Sequence, residues 1–307
     1  MSFHLLTKGQ KRPKTALPVA RVRGGALDNA ILFHTDDDTG TQLIDLPDGE
    51  FTPMPDPRPG RRCVYHIVGA SGAGKSTVAA DFAENFAEMY PNNKTIIISG
   101  DEAEDPAFEG VEHERVKASA ELNEIPINEL CADVDGTLLI FDDVEAIPNK
   151  PDRLALESFQ GRALTTGRKH NCHVLSLVHR GADGKATKTS LLESNGLIVF
   201  PKHAGGANLR YMLETHFGLP SEIKNLIKDS FGRWVLIRPN DAEPYILGPL
   251  RAAIYDADDV AGALKSRKLV DKKIMNKQAE AQAADALQNL EGGRTLTFRK
   301  MMGRQGF

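Results

Sequence analysis

Eight consecutive residues carry the clearest chemistry in the chain. Gly69-Ala70-Ser71-Gly72-Ala73-Gly74-Lys75-Ser76 meets the GxxxxGK[ST] pattern at every fixed position. Glycines let a backbone curl until successive N–H groups face one point, and a helix opening there adds its positive end, so that phosphates are cradled. Lys75 is then placed to reach the β- and γ-phosphates of a nucleoside triphosphate. The Ser76 hydroxyl is placed to ligate Mg²⁺, and Thr77 completes the phosphate-binding run. An apolar strand-like run at 63–68 precedes the motif and a helix-period stretch at 76–89 follows it. A plain glycine-rich turn lacks that context.

Further along, Thr137-Leu138-Leu139-Ile140-Phe141-Asp142-Asp143 reads as a buried strand ending in acids. Such a strand delivers a carboxylate to the carboxyl edge of an open α/β sheet, where nucleotides bind. Asp142 is the expected Mg²⁺-side acid, and Asp143 the group that orients or deprotonates the attacking water. Asp143 is shorter than the more usual Glu, so Glu145 is its rival. The apolar run at 173–178 ends at His179-Arg180. A polar residue at that point can touch the γ-phosphate or its water, which makes His179 a candidate sensor; a capping role at a strand end is the other reading. Arg153, Arg162, Arg168, Arg180 and Arg210 have the side chain that could stabilise a transferring phosphoryl group from a neighbouring subunit, and each could equally be a surface ion pair. His66, His170 and His203 show no ligand spacing, and no metal is assigned to them.

These residues need a scaffold that brings strand ends together. Short, continuously apolar runs at 63–68, 94–99, 137–141, 173–178, 196–200 and 233–238 are separated by helix-period stretches such as 153–166 and 209–217. Continuous apolar character marks strands covered on both faces, and strand–helix alternation marks a layered α/β domain with a mostly parallel sheet. Residues 1–58 read as a separate small β segment. In it the runs at 30–33 and 42–46, divided by Asp36-Asp37-Asp38-Thr39-Gly40, suggest a β-hairpin. Pro53, Pro55, Pro57 and Pro59 then suggest a linker or boundary. The nucleotide domain is expected over 59–255. A helical, basic extension follows over 256–307, rich in Ala, Lys, Gln and Glu up to Gly292-Gly293.

With 307 residues, 41% hydrophobic and 26% charged, the chain has the composition of a globular protein with a normal core. It holds no apolar run long enough to span a bilayer, and its mixed, then basic, beginning does not read as a secretory leader. Cys63, Cys131 and Cys172 are scattered beside apolar runs and read as buried, reduced thiols rather than a zinc site. The net charge of −4 hides a basic beginning (Lys8, Lys11, Arg12, Lys14, Arg21, Arg23) and a basic end (Lys265 through Arg304) around an acidic middle. That arrangement suits a polyanionic partner, or else solvated tails.

The P-loop, the acid pair after Phe141, and Gly167-Arg168-Lys169-His170-Asn171 leading into the strand before His179 together resemble the FtsK–HerA superfamily. Within it, the likeness is to the genome-packaging ATPases of poxvirus-like large DNA viruses and internal-membrane phages. The resemblance covers 62–249, and departs at the sensor position, which is often Gln in that family and is His179 here. It implies a RecA-like, additional-strand P-loop fold and ATP hydrolysis with Mg²⁺. It further implies a homo-oligomeric, hexameric ring that threads double-stranded DNA into a preformed capsid and meets a capsid or portal-vertex protein. Lys185 and Lys188 would then be loop cations near the DNA. The expected location is the host cell cytoplasm or viral factory, with retention in the virion. A cellular HerA-like motor, a P-loop small-molecule kinase and a non-hydrolysing nucleotide switch are the alternatives. No arginine-rich lid supports the kinase, and the acid pair disfavours the switch.

Overall fold

The computed structural model describes residues 1–254, apart from 59, 101–103, 131–135, 145–146, 182–183, 203–205, 220–226, 229–230 and 239–243. They belong to one compact unit, Met1–Ala257. The second unit, Asp258–Phe307, lies outside the described residues, and with it the expected helical extension. Cys131 lies outside them too.

The first strands are β1 (Ser2–Leu6), β2 (Leu17–Arg23), β3 (Ile31–Thr35), β4 (Leu43–Asp45) and β5 (Glu50–Pro53). Four of them form an antiparallel sheet in the order β1-β3-β2-β5. The hairpin suggested by the sequence does not form: β3 is flanked by β1 and β2, while β4 joins the large sheet beside β14 (Arg251–Ile254). The acidic loop explains the divergence. Asp37 accepts hydrogen bonds from Ser2, Thr35 and Thr39, tying the turn to β1, and Thr41 bridges Phe3. The chain therefore leaves the small sheet at Thr41, and Asp45 pairs with Arg251.

Nor is this segment separate. Phe3, Val22, Leu32 and Phe51 share one apolar cluster with Tyr65, Val78, Phe82 and Phe86 of the nucleotide domain. Asp81, Glu84 and Glu88 recur at helical spacing on α1 (Lys75–Met89), and Arg21 and Arg23, two apart on β2, pair with that stripe. The proline-rich stretch packs down rather than acting as a linker: Met54 bonds to Val19, and buried Asp56 accepts from Arg58.

The large sheet has ten strands in the order β4-β14-β13-β12-β11-β6-β10-β9-β7-β8. Its parallel part is β6 (Val64–Val68), β7 (Thr95–Ser99), β8 (Glu114–Lys117), β9 (Leu138–Asp142), β10 (His173–Val178) and β11 (Gly196–Val199). Strands β12 (Val235–Arg238), β13 (Tyr245–Leu247) and β14 continue it antiparallel. Ile97, Ile140, Leu175 and Ile67 pack on the α1 side, while Ile96, Leu139, Phe141 and Val174 pack with Phe159 of α3 (Lys150–Thr165). The two-sided burial is the reason the inner strands β6, β7, β9, β10 and β11 are mostly apolar, the edge strand β8 being charged. Between β8 and α3 lies the short α2 (Ile127–Leu130). Beyond β10 come α4 (Gly184–Glu193) and α5 (Gly206–Arg210), the latter running on into a π-helical turn, Tyr211–His216. No described helix is long and apolar enough to cross a membrane.

The turn from α3 into β10 is held by a buried charge. Arg62, 8% exposed, donates to the carbonyl of Ala163 at 3.0 Å and to that of Leu164. These are among the last carbonyls of α3, which have no partner within the helix. Arg62→Met should leave them unsatisfied and lower stability by about 2–4 kcal/mol. Arg61→Met, at the exposed neighbour, should change it by less than about 0.5 kcal/mol. Chemical denaturation of both variants checks this, and equal effects would contradict the capping role.

Candidate nucleotide site

The phosphate-binding loop leaves the carboxyl end of β6 and enters α1 at Lys75, as its sequence requires. Gly74 stands at the helix N-cap with φ 102°, a left-handed conformation that suits glycine. The ring of Phe200, at the end of β11, lies directly beneath Gly69; a Cβ there would sit 2.8 Å from its Cδ2. The first turn of α1 contains no acidic residue, which keeps its positive end open to an anion. Ser71, Gly72, Gly74, Lys75, Ser76 and Thr77 line one wall of a cleft of about 660 Å³. Asp142 and Asp143 line the same cleft.

The sheet order explains this meeting. Strand β10 lies between β6 and β9, pairing with both, so the loop after β6 and the acids ending β9 flank the end of β10. His179 follows directly from β10 and fills the gap. The Lys75 ammonium donates to the Gly69 carbonyl at 3.2 Å and to His179 Nδ1 at 3.2 Å, and lies 3.7 Å from Asp143 Oδ1. His179 Nε2 lies 2.9 Å from Asp143 Oδ2. A lysine ammonium only donates, so Nδ1 is the acceptor in that contact and Nε2 is the nitrogen that faces the carboxylate. Asp143 adopts φ 47°, the left-handed region that a non-glycine residue rarely occupies. In that conformation its carboxylate faces both Lys75 and His179.

The residues fit the Mg²⁺ that such a site implies. Ser76 and Asp142 offer the hard oxygen donors that Mg²⁺ takes. Burial first, then the neighbouring charges of Asp143 and Asp105, push the Asp142 carboxyl up to about 6, while Lys75 and Arg115 pull it down. A bound Mg²⁺ would supply positive charge where carboxylates now crowd one another.

Other expected residues fall elsewhere. Glu145 and His203 lie outside the described residues. None of Arg153, Arg162, Arg168, Arg180 and Arg210 lines the cleft. Arg153 pairs with Glu157 and Arg210 with Glu214, and Arg162 donates to the carbonyl of Asn123. Arg168 lies in the turn that precedes β10, at the opposite end of that strand from His179. Lys185 and Lys188 belong to helix α4 rather than to a loop. Buried His66 bonds to Ser190, and buried His173 accepts from the Cys63 amide; desolvation lowers both rings to about 4, so they are neutral core groups. Cys63 and Cys172 are buried free thiols, as expected. Residues not singled out from the sequence also line the cleft: Ser99, Glu104, Asp105, Arg115 and Ile147. Their one sequence signal, a charged run before β9, resembles an ordinary solvated surface.

The fold and this site define a P-loop NTPase of the RecA-like, additional-strand class, with β10 as the added strand. The chain belongs to the same family as Uncharacterized protein V3 of Sputnik virophage, to which it is 30% identical over 246 residues, covering 77% of this chain and 93% of that protein. Among solved structures it is similar to the genome packaging NTPase B204 from Sulfolobus turreted icosahedral virus 2 bound to ATP-gammaS: TM-score 0.44, 13% identity, 62% of this chain and 98% of that one. The cytoplasmic domain of the Thermomonospora curvata type VII secretion ATPase EccC is another, at TM-score 0.40, 13% identity, 80% of this chain and 29% of that one. No family model matches the chain.

The crowding at Asp142 has a measurable consequence. Its folded value of about 6 lies above the ordinary 3.8, so the ionised form costs stability above pH 6, and the cost vanishes as pH falls below about 4. Without nucleotide, Asp142→Asn should therefore be more stable than wild type to chemical denaturation at pH 8, by on the order of 1–3 kcal/mol. The margin should close toward pH 4, and Mg²⁺-dependent nucleotide affinity should fall in the same variant. A destabilised Asp142→Asn at pH 8 would contradict the electrostatic account.

Proposed function

We propose that the protein hydrolyses ATP with Mg²⁺ and uses the free energy to drive double-stranded DNA into a preformed viral capsid. One observation carries the enzymatic part. The P-loop lysine, an acid pair and His179 converge at adjoining strand ends, with Lys75 joined to both His179 and Asp143. A γ-phosphate entering between them would offer Lys75 a stronger partner than either and would release Asp143 and His179 toward the attacking water. Asp142 and Ser76 would hold Mg²⁺, whose role is to neutralise charge on the phosphates.

The packaging part is supported by the FtsK–HerA resemblance of the P-loop, acid pair and 167–171 turn, and by kinship with a virophage protein. It implies a ring of subunits, six by the resemblance, around duplex DNA, a capsid or portal-vertex contact, and work in the host cytoplasm or viral factory. Sequence-independent grip on DNA is mostly phosphate neutralisation. At the start of the chain the available cations are fewer than the sequence suggested. Arg21 and Arg23 are engaged by acids of α1, and Arg12 by the Ala16 carbonyl, while Lys8, Lys11 and Lys14 are exposed. The cations at 265–304 lie outside the described residues.

Lys75→Ala should fold and lose ATP hydrolysis by roughly two orders of magnitude or more, because the charge that meets the β- and γ-phosphates is gone. Phosphate release from purified wild-type and variant protein is the measurement. Undiminished release by a folded Lys75→Ala protein would overturn the proposal.

A further inference from the structure

Two cations line the nucleotide cleft among the described residues, Lys75 and Arg115. Lys75 belongs to the phosphate loop. Arg115 comes from β8, the outermost parallel strand, on the far side of β9. Its place follows from the register. Arg115 is opposite Ile97 of β7, Ile97 is opposite Ile140 of β9, and two residues on Ser99 is opposite Asp142. Side chains alternate between faces with a period of two, so Arg115 and Asp142 share the face covered by α1.

Arg115 is rooted one pleat back from the carboxyl edge and two strands, roughly 10 Å, from β9. The long Arg115 side chain lines the same cleft as Asp142 and Asp143. The loop that cradles the α- and β-phosphates is two strands further away, at the end of β6. The surroundings call for a cation. Glu104, Asp105, Asp142 and Asp143 all line the cleft, and a triphosphate adds more negative charge.

We propose that Arg115 is a catalytic residue of this site, a cation supplied by the same chain that binds oxygen of the γ-phosphoryl group. The planar guanidinium fork matches two phosphate oxygens at once, which an ammonium does not. The inference rests on the cleft being an ATPase site, and it adds a residue outside the P-loop and the acid pair. ADP, lacking the γ-phosphoryl group, has nothing for Arg115 to bind.

The test compares affinities for Mg²⁺-ADP and for a Mg²⁺-bound, non-hydrolysable β,γ-imido ATP analogue in wild type, Lys75→Ala, Arg115→Gln and Arg115→Lys. Arg115→Gln should weaken the analogue about tenfold or more while moving ADP by less than about twofold. Arg115→Lys, which keeps the charge and loses the fork, should fall between wild type and Arg115→Gln. Lys75→Ala should weaken both ligands. Should Arg115→Gln fail to fold, Arg115→Lys decides alone by the same selective loss. Wild-type analogue binding in the Arg115 variants, or equal losses of ADP and analogue, would overturn the role of Arg115 and leave the ATPase reading standing. Failure of the wild-type protein to bind either nucleotide would instead remove the reading on which it rests.

Discussion

The Lys75 ammonium sets the geometry of everything around it. It is buried, 7% exposed, and its contacts are drawn from three strand ends: the Gly69 carbonyl after β6, Asp143 after β9 and His179 after β10. A charge removed from water needs partners or it destabilises the fold. Those partners can converge only because β10 is inserted between β6 and β9. In another strand order the acid pair and the phosphate loop would diverge. The unusual backbone at Asp143 fits the same constraint, since an extended residue would carry its carboxylate onward along the strand.

The rest of the unit supports that convergence from behind. Phe200 closes against Gly69 beneath the loop, and Arg62 fixes the C-terminal end of α3 just before the chain turns into β10. On the far side of α1, the small antiparallel sheet holds the helix through Arg21, Arg23 and the pair of hydrogen bonds that Asn85 makes to Thr52 and Pro53. The helix that carries Lys75 and Ser76 is thus fixed on two sides, by the large sheet through apolar packing and by the small one through apolar packing, ion pairs and hydrogen bonds. Preorganisation of this kind lowers the reorganisation needed when a phosphate arrives.

What could be read directly from residues was what is local in sequence. The loop at 69–76 is contiguous, its glycines and lysine declare their chemistry, and the acids at 142 and 143 follow an unbroken apolar run. The inner parallel strands were legible because burial on both faces leaves them mostly apolar. The pairing of the first strands was not. The run at 42–46 has partners more than two hundred residues away on β14, and no local pattern distinguishes that from a hairpin. Arg115 was illegible for a related reason: it sits on a four-residue edge strand whose charged sequence, Glu-Arg-Val-Lys, looks like solvated surface until register places it beside Asp142. Likewise, Arg21 and Arg23 look like free positive charge until α1 presents the acids that engage them.

The central claim is that this chain couples nucleotide hydrolysis at Lys75 and its partners to work on DNA. Steady-state phosphate release from Mg²⁺-ATP by the full-length protein, with and without duplex DNA of two unrelated sequences, tests it most directly. The account predicts hydrolysis that duplex DNA stimulates, equally for both sequences and less as salt rises, because contacts to phosphates ignore sequence and are screened. Hydrolysis indifferent to DNA, or phosphoryl transfer to a small-molecule acceptor in place of water, would contradict it.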